Sequence, residues 1–160
     1  MGNNILNLLK PILIIDNNED DFKALALAFE KTGLPNPLSH CKTGHEAMDC
    51  LNQTESKTPF KPVMILLDPD LPDIDGLRLL QIIREAAELQ KTPIVIWASS
   101  AHERDINSCY YNGAHAYMRK PDSFEDMLES VRRLKEYWFE TVILPSGGGI
   151  KKTIQERYIG

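Results

Sequence analysis

Cysteine is scarce. Three residues, Cys41, Cys50 and Cys109, are scattered through 160 positions with no Cys-x-x-Cys pair. That spacing excludes a disulfide framework and a zinc ribbon, and points to reduced, mostly buried thiols. Long apolar runs are also missing. Ile12 to Ile15 is the longest near the start and is far too short to cross a bilayer. Lys10-Pro11 interrupts the stretch before it and no small-residue cleavage site follows, so a secretory leader is not expected and a cytoplasmic location is. There is no basic excess: 18 Lys and Arg stand against 23 Asp and Glu, a net charge of −5. An electrostatic nucleic-acid or membrane surface needs clustered cations, so neither partner is expected. His40, His45, His102 and His115 show no metal-ligand spacing. Gly147-Gly148-Gly149 has neither the strand nor the Gly-Lys-Ser/Thr of a phosphate loop.

What the chain does have is an ordinary globular composition, 42% hydrophobic and 26% charged, at one domain's length. Short apolar runs alternate with stretches of helical spacing. Ile12 to Ile15, Val63 to Leu67 and Ile94 to Trp97 read as strands buried on both faces, with weaker strands at Leu38 to Cys41 and Ala116 to Met118. Between them, Phe22, Leu25, Ala26 and Phe29 recur at helical spacing, as do Leu79, Ile82, Ile83 and Ala86. A short helix begins near Gly44, and residues 103–112 read as another. Ser123 is a good N-cap for a last helix, with Asp126 at capping-box distance. Residues 52–61 form a loop. Five strands alternating with five helices predict a doubly wound α/β fold, a (βα)5 five-stranded parallel sheet. The domain is expected over residues 1–144, its core at about 10–138 and its last helix extended to 144. Residues 145–160 read as a flexible tail.

In such sheets ligands bind beyond the carboxyl ends of the strands. Those ends carry Asp16-Asn17, Asp68-Pro69-Asp70, Trp97-Ala98-Ser99-Ser100 and Lys120-Pro121. Carboxylates from two strands, a carbonyl and waters suit Mg2+. A lysine beside them suits a phosphoryl oxygen, and a carboxylate can be the nucleophile that forms an aspartyl-phosphate. The chemistry implied is phosphoryl transfer onto Asp68, aided by Mg2+ and Lys120. Each residue alone also reads as a cap, a turn former or a solvated lysine; it is the joint pattern that is specific. Asp68-Pro69-Asp70 also invites a haloacid-dehalogenase-like phosphatase reading, which Pro72 and the position in the chain disfavour.

Three segments carry a resemblance: Ile12-Leu-Ile-Ile-Asp16, Ile65-Leu-Leu-Asp68-Pro-Asp-Leu-Pro72-Asp-Ile-Asp-Gly76 and Ala116-Tyr-Met-Arg-Lys120-Pro121. Their spacing resembles the receiver domain of two-component response regulators, a flavodoxin-like fold, over roughly residues 10 to 138. Tyr137-Trp-Phe-Glu-Thr-Val-Ile-Leu-Pro145 looks like the stand-alone regulators that work with phytochrome-type histidine kinases. The resemblance implies that Asp68 takes a phosphoryl group from a kinase histidine. It implies that Asp16 holds Mg2+ by its carboxylate and Asp70 by its backbone carbonyl, and that Lys120 pairs with the phosphoryl oxygen or with Asp68. It further implies a cis Lys120–Pro121 bond, and Tyr117 as a switch aromatic.

Two departures stand out. Asn17 occupies the place of a second acid; its amide oxygen can still face a metal, with one charge fewer. Glu19, Asp20 and Asp21 follow closely and read as the first turn of a helix, where acids suit the dipole; the alternative is that one of them reaches the metal site. At the end of strand four the family places its switch Thr or Ser where this chain has Ala98; Ser99 is adjacent but faces the other way, and a one-residue shift or a bulge would present it instead. The expected function is a response regulator signalling through partner contacts. The alternative is a degenerate receiver-like interaction module that works without phosphorylation. The apolar segment Tyr137, Trp138, Phe139, Val142 and Ile143 exceeds what one helix face needs, so it predicts either a two-fold homodimer surface or a segment folded back on its own domain.

Overall fold

A computed structural model describes residues 10–52 and 60–145. Its strands are β1 (Ile12–Ile15), β2 (Leu38–Cys41), β3 (Met64–Leu67), β4 (Ile94–Ala98) and β5 (Ala116–Arg119). Its helices are α1 (Glu19–Thr32), α2 (Gly44–Leu51), α3 (Gly76–Glu85), α4 (Glu103–Tyr111) and α5 (Phe124–Lys135). The strands form one parallel sheet in the order β2-β1-β3-β4-β5. The chain reverses direction across the sheet between β1 and β3, and the crevice there is where this architecture places its ligands.

Side-chain alternation splits the core in two. Ile12, Ile14, Met64, Leu66, Val95 and Trp97 pack with Leu25 and Phe29 of α1 and Met127, Val131 and Leu134 of α5. Leu13, Ile15, Ile65, Leu67, Ile94, Ile96 and Ala98 pack with residues of α2 and α3 and with Cys109 of α4. Both faces of the central strands are therefore covered, which is why they read as unbroken apolar runs. Local chemistry sets the helix ends. Asn18, Thr43, Asp75 and Ser123 each accept a backbone N–H as N-caps. Gly33 closes α1 with φ 75°, a conformation that costs glycine nothing. Cys41 and Cys109 are buried and Cys50 half-buried, all as free thiols. Burial pushes the Cys41 thiol up to about 12, so it stays protonated at neutral pH.

Three expectations need correction. The last helix does not run to 144: α5 ends at Lys135, Glu136–Thr141 widens into a π-helical turn, and Val142 is extended. Thr141 Oγ1 and Val142 N donate across that turn to the carbonyls of Glu136 and Tyr137, at 2.7 Å and 2.9 Å. Thr141, Val142 and Ile143 are β-branched and resist regular helix. The reversal lets Leu144 bury and lets Trp138, Phe139 and Val142 pack on the α1/α5 core. Of the expected dimer surface, only Tyr137 and Ile143 stay exposed. Third, the Lys120–Pro121 peptide is trans, the lower-energy isomer even before proline. Residues 53–59 of the expected loop and the expected tail from 146 lie outside the described residues.

Candidate functional site

Register alone brings two acids together. Ile15 pairs with Leu67 across β1 and β3, so Asp16 and Asp68 leave the sheet side by side, and Asp68 N donates to Ile15 O at 2.8 Å. Lys120 arrives from β5 with its N–H on Ala98 O at 2.7 Å. Its Nζ lies 2.6 Å from Asp68 Oδ2, 2.8 Å from Asp16 Oδ2 and 2.8 Å from Asp21 Oδ2. The Lys120 and Asp68 side chains are each 7% exposed and Asp16 is 2% exposed.

Burial works against the Lys120 charge, but its contacts with Asp16, Asp21 and Asp68 outweigh that and raise its pKa, so it is held as a cation. Burial pushes the Asp68 carboxyl up and the charge of Asp16 adds to this, while Lys120 and the Asp70 N–H pull it back. Three carboxylates around one ammonium leave a surplus of two negative charges in a largely buried pocket. Asp16 Oδ2 has its ion-pair contact with Lys120 but accepts no well-directed hydrogen bond. Two buried carboxylates, one with a spare lone pair, fit a hard divalent cation that takes oxygen ligands. Among the described residues no cluster of three or more His, Cys, Asp or Glu side chains has metal-ligand geometry. The remaining ligands would thus be backbone oxygen and water.

The loop after β3 is held in place from several sides. Asp70 N donates to Asp68 Oδ1 at 2.9 Å, which fixes the Asp70 peptide beside the acid. Gly76 N returns to Pro69 O at 3.2 Å, and a Cβ at Gly76 would lie 2.3 Å from Pro69 Cα, so no side chain fits there. Asp73 reaches across to α2, accepting from Gly44 N and His45 N at 2.9 Å each and touching the His45 ring. Desolvation raises the Asp73 carboxyl, but these hydrogen bonds prevail and hold it well below the usual carboxylate range.

Asp68 opens onto a cleft of about 510 Å³, also lined by Asp70, Ala98, Ser99, Arg104 and Tyr117. Ala98 is buried on the Ile94/Ile96 face and its methyl faces this cleft, where it offers no donor. Ser99 is exposed at the rim. Tyr117 is half-buried, and its hydroxyl donates to Ser100 O at 2.8 Å, joining β5 to the β4–α4 loop.

The structure gathers Asp16, Asp68, Asp70 and Lys120 as the strand ends implied. It does not bring in Asn17, which is exposed and donates its amide N–H to Lys42 O at 3.1 Å. The acid that does reach the cluster is Asp21, so the alternative weighed for the Glu19, Asp20 and Asp21 run holds for one of the three. Its position three residues after the Asn18 cap was the available signal, since a first-turn side chain there points back toward the strand ends. His40 is half-buried; stacked on Phe22 with ring centroids 3.8 Å apart, it puts Nε2 2.7 Å from Asp16 O.

The chain is thus a doubly wound parallel sheet with a buried Asp–Asp–Lys cluster at its switch point. The response regulator receiver domain profile matches residues 12–132, and the chain belongs to that family. It is 33% identical over 127 residues to the probable methanogenesis regulatory protein FilR2 of Methanothrix harundinacea, covering 79% of this chain and 82% of that one. The phosphorylated cyanobacterial phytochrome response regulator RcpA has the same fold, with TM-score 0.78 and 28% identity over 86% of this chain and 99% of that one. So does the Mn2+-bound form of the response regulator Rcp1, with TM-score 0.77 and 28% identity over 85% of this chain and 99% of that one. No helix among the described residues is long and apolar enough to cross a membrane.

Proposed function

We propose that this chain is a phosphorylation-driven response regulator: Asp68 accepts a phosphoryl group from the histidine of a sensor kinase, and the output is made through partner contacts. The observation that carries this is the 2.6 Å pairing of Lys120 Nζ with Asp68 Oδ2, the acid that lines the cleft. An Asp68 carboxylate oxygen attacks phosphorus as the P–N bond of the phosphohistidine breaks. The imidazole nitrogen keeps the electron pair and is protonated from solvent. Lys120 is placed to neutralise charge on the transferred oxygens, and the fixed Asp70 peptide keeps Asp68 from turning away. Mg2+, when bound, would supply further neutralisation; the Asp16 and Asp68 carboxylates and the Asp70 carbonyl are the oxygens that would hold it, with Asn17 left out. Tyr117, tied to Ser100, is the element whose two positions would report the state of Asp68.

The description of RcpA as a phytochrome response regulator favours a kinase of the phytochrome type. A cytoplasmic location fits such a partner. A homodimer through Tyr137, Trp138, Phe139, Val142 and Ile143, of which Tyr137 and Ile143 are exposed, belongs to the same reading, and sedimentation of the full chain decides it.

The test is the intact mass after incubation with Mg2+ and acetyl phosphate, followed by peptide mapping. One phosphoryl group on Asp68 supports the reading. No uptake, with no binding of beryllofluoride either, overturns it in favour of an interaction module that works without phosphorylation. Ala98 is the observation that favours this second reading, since nothing at that position can hydrogen-bond a phosphoryl group. Ala98→Ser places a hydroxyl in the cleft with little added volume. A charge-assisted hydrogen bond contributes about 1.5–3 kcal/mol, so the ratio of phosphorylated to unphosphorylated chain at equal acetyl phosphate is expected to rise about tenfold or more. An unchanged ratio would show that position 98 does not address the phosphoryl group.

A further inference from the structure

The Lys120 ammonium occupies ground that a divalent cation would need. It lies within 2.8 Å of Asp16 Oδ2 and 2.6 Å of Asp68 Oδ2, the two side-chain oxygens available to such a cation. Two cations cannot share those oxygens at close range without strong repulsion. When a divalent ion is held there, the ammonium must move, and it must not become a buried unpaired charge. Among the described residues, the one other anion it touches is Asp21, at 2.8 Å.

The first turn of α1 frees Asp21 for this contact. Asn18 caps the helix by accepting Asp21 N at 3.0 Å. In a capping box the acid at this position would turn back to the N–H of the cap residue. Here that N–H already donates to Asp16 Oδ1 at 2.9 Å. The Asp21 carboxylate is therefore released toward the cluster. Its side chain is 35% exposed, against 2% for Asp16 and 7% for Asp68, so it stands at the mouth of the site. Its neighbours are spent elsewhere or face solvent: Glu19 pairs with Lys42 at 3.5 Å and Asp20 is exposed.

We propose that Asp21 is a positioning residue that retains the Lys120 ammonium when a divalent cation takes the Asp16 and Asp68 oxygens. It thereby supplies from helix α1 the charge missing at Asn17, acting through the lysine and not as a ligand. The inference rests on the phosphoacceptor reading above, because it presupposes that this site binds such a cation.

The test is calorimetric titration of the full chain with Mg2+, alongside a thermal melt of every variant. Without Asp21 the lysine stays on Asp16 and Asp68 and competes harder, so Asp21→Asn is expected to weaken Mg2+ about tenfold with an unchanged melt. Asp21→Glu keeps the charge and is expected to recover most of the loss. Asp20→Asn removes an equal charge that does not touch Lys120; solvent and salt screen it, so affinity is expected to stay within about twofold of the parent. In a Lys120→Met background, Asp21→Asn is expected to lose its effect, because the lysine through which it acts is gone. Should Lys120→Met not fold, the comparison of Asp21→Glu with Asp20→Asn decides. Parent-like affinity in Asp21→Asn overturns the inference and leaves the phosphoacceptor reading standing. So does an equal loss in Asp20→Asn, or a loss that persists without Lys120. A parent chain that binds no Mg2+ overturns the inference together with the metal-assisted form of that reading.

Discussion

Asp68→Asn is expected to take up no phosphoryl group from acetyl phosphate, while folding as well as the parent chain or better. The loss follows from chemistry, since a carboxamide is no nucleophile at neutral pH. The folding expectation follows from the contacts. Asparagine keeps the volume of the acid, and its Oδ1 can still accept Asp70 N, as Asp68 Oδ1 does at 2.9 Å. Lys120 keeps Asp16 and Asp21, each at 2.8 Å, so its charge is not orphaned.

The pH dependence separates this variant from a damaged fold. Burial and the charge of Asp16 hold the folded-state pKa of Asp68 above its unfolded value. Such an acid contributes most below its unfolded pKa, and that contribution is lost as pH rises through the folded pKa. Ionised Asp68 therefore costs the parent stability at neutral pH, and asparagine removes the cost. A higher Tm than the parent at neutral pH is expected. The gain should shrink as pH falls toward the ordinary carboxylate range, where the Asp68 of the parent becomes as uncharged as the asparagine. Phosphoryl uptake by Asp68→Asn would place the acceptor elsewhere. A lower Tm at neutral pH would mean that the Lys120–Asp68 pair stabilises the domain on balance.

The strand ends were legible because continuous apolar runs and the acids that stop them are local features. β2 falls at Leu38–Cys41 as the pattern implied, and β3 and β4 differ from it by one residue. Once the sheet is parallel, the register carries Asp16, Asp68 and Lys120 to one place with little further information. What was illegible depends on directions that no short window encodes. Asn17 turns to Lys42 O because a loop carbonyl from the next strand happens to be within reach. Asp21 reaches Lys120 because Asp16 has already taken the cap N–H. The end of α5 was misread for a related reason. Tyr137, Trp138 and Phe139 continue a helical apolar pattern, while the π-helical turn that re-aims Trp138 and Phe139 is set by what they pack against.

Lys120→Met is expected to be the most destabilising change at the site. It leaves Asp16 and Asp68, 2% and 7% exposed, facing one another without a cation. Removing one partner of a buried ion pair costs about 3–5 kcal/mol, a fall in Tm on the order of 10 °C for a chain of this length. The sign with pH is opposite to that of ordinary acid denaturation. In the parent, the carboxylates hold the folded-state pKa of Lys120 above its unfolded value. Its contribution is thus fully present at neutral pH and is lost only as pH rises through the folded value. In the variant, the two acids repel in a desolvated site without the lysine that opposes the rise at Asp68, so the deficit should narrow as pH falls and Asp68 protonates. A divalent cation offers a second relief. With the competing ammonium gone, Asp16 and Asp68 keep their full charge for Mg2+, and ligand linkage should raise the Tm of the variant by more than that of the parent. Thermal melts over a pH series, with and without Mg2+, read all of this. Faster phosphoryl transfer is not expected to follow from the tighter metal, because the cation that meets the transferred oxygens is missing. A variant that melts like the parent at neutral pH, and gains no more from Mg2+, would mean that solvent already relieves the two acids and that Lys120 holds the site together far less than its three short contacts imply.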